Sequence, residues 1–137
     1  SVVNDIVVCG LYLPNGNPAP GPKFDYKLAW FEHLIRHAAE LMESGHPVVL
    51  TGDFNSDPDK ITYPTLTAVL GDARARAPKR SGPENTFQDF STHPTRRIDW
   101  ILFRGLTPTQ FTTLDDRPGG VLPSDHYPVL AEFAWPR

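Results

Sequence analysis

Three short stretches each set an acid-bearing polar cluster against an apolar run. Pro47-Val48-Val49-Leu50-Thr51 leads into Gly52-Asp53-Phe54-Asn55, Arg97-Ile98-Asp99 opens Trp100-Ile101-Leu102-Phe103, and Ser124-Asp125-His126 precedes Tyr127-Pro128-Val129. Asp and Asn are depleted in strands, so three such placements call for a cause beyond local structure. Any one alone could be a turn cap. A shared site at one sheet edge accounts for all three together.

The remaining pattern supplies a layered scaffold. Asp5 to Leu13 is β-branched and apolar and breaks at Pro14-Asn15-Gly16-Asn17-Pro18, which reads as a buried strand feeding a loop. From Asp25 to Glu43, Leu28, Phe31, Leu34, Ile35, Ala38, Leu41 and Met42 recur at helical spacing, and Gly45 is a stop signal. Pro47 to Thr51 is a second strand. Thr62 to Leu70 reads as a short helix with Pro64 in its first turn. Pro78 to Asn85 reads as a loop, and Thr86 to Phe90, Arg97 to Phe103 and Tyr127 to Phe133 as strands, with a loop through Pro118-Gly119-Gly120 between the last two. Strands interleaved with one long and one short helix predict an α/β (α+β) layered domain.

Composition bounds the function. A chain of 137 residues that is 39% hydrophobic suits one globular domain, and no run is long enough to cross a bilayer. A net charge of −3 argues against a blanket basic surface while allowing a local basic cleft. The lone Cys9 has no disulfide or CxxC partner and is expected to be a buried strand thiol. No signal pattern is visible, which fits a cytoplasmic protein. Because the chain opens directly into a strand-like run, secretion through a segment lost upstream stays open.

Phosphodiester cleavage needs an activated water, a cation on the phosphate oxygens, and donors matched to the transition state. Asp53 and Asp125 are hard oxygen donors suited to Mg²⁺ or Mn²⁺ and to orienting water. Asn55, two residues beyond Asp53 on an extended chain, projects to the same side and offers an amide to a phosphate oxygen. His126 is the proton carrier, and Asp99 is its natural partner.

GDFN, RIDWIL and SDHYPV, in that order, resemble the C-terminal motifs of the endonuclease/exonuclease/phosphatase superfamily, which includes exonuclease III, the abasic-site endonucleases and deoxyribonuclease I. By that resemblance Asp53 and Asn55 orient water and bind phosphate, Asp99 pairs with the catalytic His126, and Asp125 is a metal ligand. Gly10 to Asn17, followed by Lys23 to Trp30, resembles the exonuclease III branch, in which residues at the Tyr12 and Asn15 positions face the substrate phosphate. Thr86 to Phe90 and the tail through Trp135 are closer to members of unassigned or secreted type. The resemblance implies half of a four-layer α/β sandwich of the deoxyribonuclease I-like type. It is a mixed sheet with one long helix, residues 1–137 forming a single partial domain without its N-terminal half. It implies a Mg²⁺-dependent phosphodiesterase of the abasic-site endonuclease or 3′-exonuclease type with DNA as partner. Its alternatives are a phosphatase or phosphodiesterase acting on a small molecule or lipid, and a truncated inactive module. The missing half would carry an asparagine and a metal-binding glutamate, so an apolar sheet face is expected to be exposed, and activity to require an upstream half or partner chain.

Other motifs weigh less. Asp53 to Asp59 imitates a calcium loop, but its sixth and twelfth positions are Pro58 and Pro64. His33 and His37 stand one turn apart without the glutamate of a metalloprotease, and read as a solvated pair. Arg74, Arg76, Lys79 and Arg80, and Arg96 with Arg97, are candidates for a phosphate backbone, with solubility as the plainer use of the first group. Trp100 is a candidate for stacking on a base, with core packing as the competing use.

Overall fold

The computed structural model describes residues 1–135. The apolar runs become strands β1 (Val2–Val3), β2 (Ile6–Tyr12) and β3 (Val48–Asp53), and the helical periodicity becomes α1 (Pro22–Glu43), which begins with proline in its first turn. After it come α2 (Thr62–Thr67), β4 (Gly71–Asp72), α3 (Ala73–Arg76), β5 (Lys79–Ser81), β6 (Asp99–Arg104), β7 (Thr107–Thr113) and β8 (Val129–Ala134). Two mixed sheets result, ordered β1-β2-β3-β6-β4 and β5-β7-β8.

Each face of the larger sheet has its own core. Phe31 and Leu34 of α1 meet Leu50, Trp100 and Leu102 of the sheet and Leu66 of α2 on one side. On the other, Ile101 and Phe103 pack with Ala73, Ala77 and Phe111, which joins the two sheets. Coverage there is incomplete: Ile6, Val49, Val129 and Phe133 are only partly buried, while the exposed Leu130 lies on the opposite face of β8. Cys9 is partly rather than fully buried, packed beside the first core. His33 and His37 are exposed, as a solvated pair should be.

The elements differ from expectation in several places, beginning with the two-residue β1 and β4, which lie outside the predicted strands. Thr86 to Phe90 forms no strand, because Phe87 alone makes isolated bridges, to Arg96 and to His126. Lys79–Ser81, read as loop, pairs with β7. β7 itself was not foreseen, since its Thr-rich TPTQFTT buries only Pro108, Phe111 and Thr113 and carries little apolar signal. The four-residue α3 owes its start to Asp72, whose Oδ1 accepts from the amides of Arg74 and Ala75.

Register is what positions the site. β2 and β3 run parallel with Tyr12 opposite Asp53, and β6 runs antiparallel to β3 with Asp53 opposite Asp99. The C-terminal ends of two strands and the N-terminal end of the third therefore form one row. Gly52 makes the close approach possible: at φ 146°, a Cβ there would stand 1.9 Å from the Leu11 carbonyl oxygen.

Candidate active site

At the end of that row lies an open cavity of about 540 Å³ lined by Tyr12, Asn15, Asp53, Asn55, Asp99, Asp125 and His126, together with Phe87, Arg96 and Ile98. The residues named from sequence thus converge, with the exception of Trp100.

The first pair is Asp53 and Asn55. Beyond β3 the chain turns through Asn55 in the left-handed region (φ 46°), which asparagine tolerates better than most residues. That turn brings the Asn55 amide N–H to Asp53 Oδ1 at 2.7 Å and its Nδ2 to Asp53 Oδ2 at 2.9 Å. Nδ2 also donates to the Leu13 carbonyl at 2.8 Å. Both amide protons are therefore engaged within the protein. In this arrangement the Asn55 donors are directed to Asp53 and Leu13, and they hold the Asp53 carboxylate in place. Asn15 is the exposed amide beside it, its Nδ2 3.5 Å from Asn55 Oδ1. Burial raises the Asp53 pKa above the ordinary carboxylate value, and the nearby Asp99 adds to the rise; the Asn55 N–H works against it.

The second pair is Asp99 and His126. Nδ1 of His126 stands 2.8 Å from Asp99 Oδ2. When Nδ1 donates this bond, Nε2 is left as the ring nitrogen available for proton transfer. The Thr86–Asp89 segment stitches the two carriers together. Thr86 Oγ1 accepts from the amides of Ile98 and Asp99, its carbonyl accepts from Tyr127 N–H, and the Asp125 carbonyl accepts from the amides of Gln88 and Asp89. Gln88 Nε2 donates to the Ser124 carbonyl, and the Phe87 ring meets the imidazole edge-on at 5.2 Å. Composition carried no signal for this segment's role, since its bonds to distant motifs come from main-chain groups, one buried hydroxyl and one buried amide side chain.

Asp53, Asp99 and His126 bring potential ligand atoms within 4.8 Å of one another. Asp125 lines the same cavity outside that cluster, its carboxylate reached by Ser124 Oγ at 3.3 Å.

Two expectations are corrected. Trp100 is fully buried, stacked on Phe54 with centroids 4.4 Å apart, and its Nε1 donates to the Arg97 carbonyl; its side chain points into the core, where no base can reach it. Arg97 is likewise buried and ion-paired with Asp72, so only Arg96 of the Arg96–Arg97 pair reaches the cavity.

The profile described as the endonuclease/exonuclease/phosphatase family matches residues 2–126. No curated protein matches the chain. Among solved structures, a functionally unknown conserved protein from Enterococcus faecalis is 26% identical with a TM-score of 0.76, over 94% of this chain and 50% of its own. A 3′-5′ exonuclease from Neisseria meningitidis is 27% identical with a TM-score of 0.77, over 98% and 63%. A mannosyl-6-phosphatase from Bacteroides thetaiotaomicron is 27% identical with a TM-score of 0.68, over 85% and 48%. The chain spans about half the length of the first of these. With the family profile running through β2, β3 and β6 as far as His126, and the same fold in these solved structures, the chain belongs to the endonuclease/exonuclease/phosphatase family.

Proposed function

We propose that the chain carries the catalytic part of a divalent-metal-dependent phosphodiesterase acting on DNA, of the exonuclease III-like type that trims 3′ ends or incises at abasic sites. The observation that carries this reading is the in-register row Tyr12, Asp53, Asp99 with His126 bonded to its last member, all around one cavity. The likeness to the Neisseria enzyme, over 98% of this chain, supports DNA as the substrate, since that enzyme is also described bound to a product DNA hairpin.

The donor set fits a hard cation. In this reading Asp53 and Asp125, carboxylates of the same cavity, hold Mg²⁺ or Mn²⁺, and Asp99, whose Oδ2 meets His126, lies beside Asp53. Once bound there, the cation supplies Lewis-acid neutralisation of the phosphate. Asp53, kept in orientation by both Asn55 donors, orients the attacking water. His126, aligned by Asp99, handles the proton at Nε2. Tyr12 is exposed at the rim and, with the Asn15 amide, meets the phosphate oxygens.

A second reading, a phosphatase acting on a phosphorylated sugar, is favoured by the likeness to the Bacteroides mannosyl-6-phosphatase. One assay separates them. The chain alone, and the chain joined to the upstream half of a solved relative, are given a duplex with one abasic site, a duplex with a 3′ phosphate, and mannose 6-phosphate, each with Mg²⁺. Release from either duplex is the expected result; turnover confined to the sugar phosphate sinks the DNA reading.

A further inference from the structure

Beside the reacting cavity lies a second one of about 300 Å³, and the two share Asn15, Asn55 and Arg96 in their walls. Their charges are opposite. The first is lined by three carboxylates, Asp53, Asp99 and Asp125, against one guanidinium, Arg96. The second is lined by three cations, Lys27, Lys60 and Arg96, against one carboxylate, Asp57. Carboxylates suit the place where a cation neutralises the scissile phosphate, whereas a basic cavity directly adjoining it suits an anion that has no cation of its own.

Two of the cations are already balanced. Arg96 lies 2.9 Å from Asp57, and Lys60 lies 2.8 Å from Asp59. Lys27 is different. From the middle of α1's first half, its half-buried ammonium donates to the Asn55 carbonyl at 2.7 Å and more weakly to the Asn15 carbonyl at 3.4 Å, and among the described residues it has no carboxylate partner. An ammonium has three protons, so one stays uncommitted. Burial and then the Arg96 guanidinium lower the Lys27 pKa, and the pull of Asp53 and Asp57 in the other direction does not offset them, so Lys27 and Arg96 repel at partly desolvated positions. An anion between them relieves that repulsion.

We propose that this basic cavity is a second phosphate subsite, so that the substrate is a phosphoester strand whose neighbouring phosphate is held by Lys27, Lys60 and Arg96 while the scissile one lies at the carboxylates. The proposal rests on the phosphodiesterase reading for which phosphate reacts, and it adds the requirement for a second phosphate one short linker away. The shared chemistry, two linked phosphates, is met by a nucleic-acid strand and also by a bisphosphorylated sugar. The two cavities share Asn15, Asn55 and Arg96 in their walls, which favours the strand, whose successive phosphates pass from one to the other.

The test measures binding by calorimetry to the full chain, with Ca²⁺ present to hold the scissile phosphate. The probes are the dinucleotide d(TpT), with one phosphate, and the trinucleotide d(TpTpT), with two. The expected preference for d(TpTpT) is about tenfold, as a charge-assisted phosphate contact should give. It should collapse in Lys60→Met, on an exposed side chain outside the packed core, and in Lys27→Met, and return in Lys27→Arg. Equal affinities in the native chain, or a preference that survives both methionine substitutions, overturn the subsite. A hexose bisphosphate run against a hexose monophosphate separates the sources: a larger gain there than with the trinucleotide overturns the strand assignment. Hydrolysis, with Mg²⁺ in place of Ca²⁺, is followed in parallel with the chain joined to the upstream half of a solved relative. A preference without hydrolysis counts against the phosphodiesterase reading and leaves the subsite standing; hydrolysis of both nucleotides without a preference does the reverse.

Discussion

His126 and Asp99 form the contact most directly tied to proton transfer. Asp99 fixes the ring through Nδ1 at 2.8 Å, so its loss misaligns a proton carrier without opening a core. Asp99→Asn and His126→Ala are each expected to lower turnover by about 10²- to 10⁴-fold, the usual contribution of a positioned acid–base group. Both side chains are partly exposed, so melting temperatures should move little. Large unfolding in either variant would show that the pair is structural. Asp53 carries the pH signature. Burial lifts its pKa, so on acidification it takes up a proton at higher pH than a solvated aspartate would. In the window between the ordinary and the raised value the native state binds more protons than the unfolded one. Stability therefore falls as pH rises through that window, and is higher below it. Cation binding has the opposite trend, because it needs the charged form. A Mn²⁺ titration across pH should lose affinity on acidification with a midpoint above the ordinary carboxylate range, and Asp53→Asn should remove that step.

Elements legible in the sequence were those whose own residues carry the signal. α1 and the strands β2, β3 and β6 bury enough of their apolar residues to betray their period, and the polar ends of β3 and β6 pointed to the cavity. β7 was hidden by its threonines, and β5 and α3 by their brevity; β5 exists through pairing with a strand far along the chain, and α3 through the cap from Asp72 just before it. The supporting segment at Thr86 was legible only as a short β-rich run, although its hydroxyl accepts the main-chain amides of Ile98 and Asp99 at the start of β6, both at 3.2 Å. Lys27 escaped notice because on a helix it looks like one solvated charge among others, and its carbonyl partners leave no mark in sequence. Thr86 is 1% exposed, so Thr86→Val leaves two N–H groups without an acceptor at a cost of about 1–3 kcal/mol. The expected result is a lower melting temperature with a fall in kcat larger than any change in KM, since Asp99 loosens while the phosphate-facing residues stay. Thr86→Ser should restore both, and a Thr86→Val protein with native kcat would remove the segment from the catalytic account.

At the scale of the whole molecule, one buried ionic knot joins parts that no single strand connects. Asp72 Oδ2 accepts from Arg97 and, at 2.7 Å, from the Tyr63 hydroxyl, while its Oδ1 caps α3. Arg97 in turn stands over the Tyr63 ring, and its carbonyl accepts from Trp100 Nε1 in the first core. α2, β4, α3 and the entry to β6 thus meet at a pair whose side chains are 9% and 2% exposed. Buried ion pairs contribute little against an apolar alternative, because desolvation offsets most of the attraction, yet removing one partner strands the other charge. Arg97→Met should therefore cost about 3–5 kcal/mol, and Asp72→Ala a comparable amount plus the lost cap. The double variant should cost clearly less than the sum of the two, since neither charge is then left alone. Denaturant unfolding of the four proteins gives the coupling directly. Because Arg97 lies two residues before Asp99, the variants that fold should also lose turnover in step with the coupling; additive stabilities with native turnover would mean that the knot holds the halves of the sheet together and leaves the site untouched.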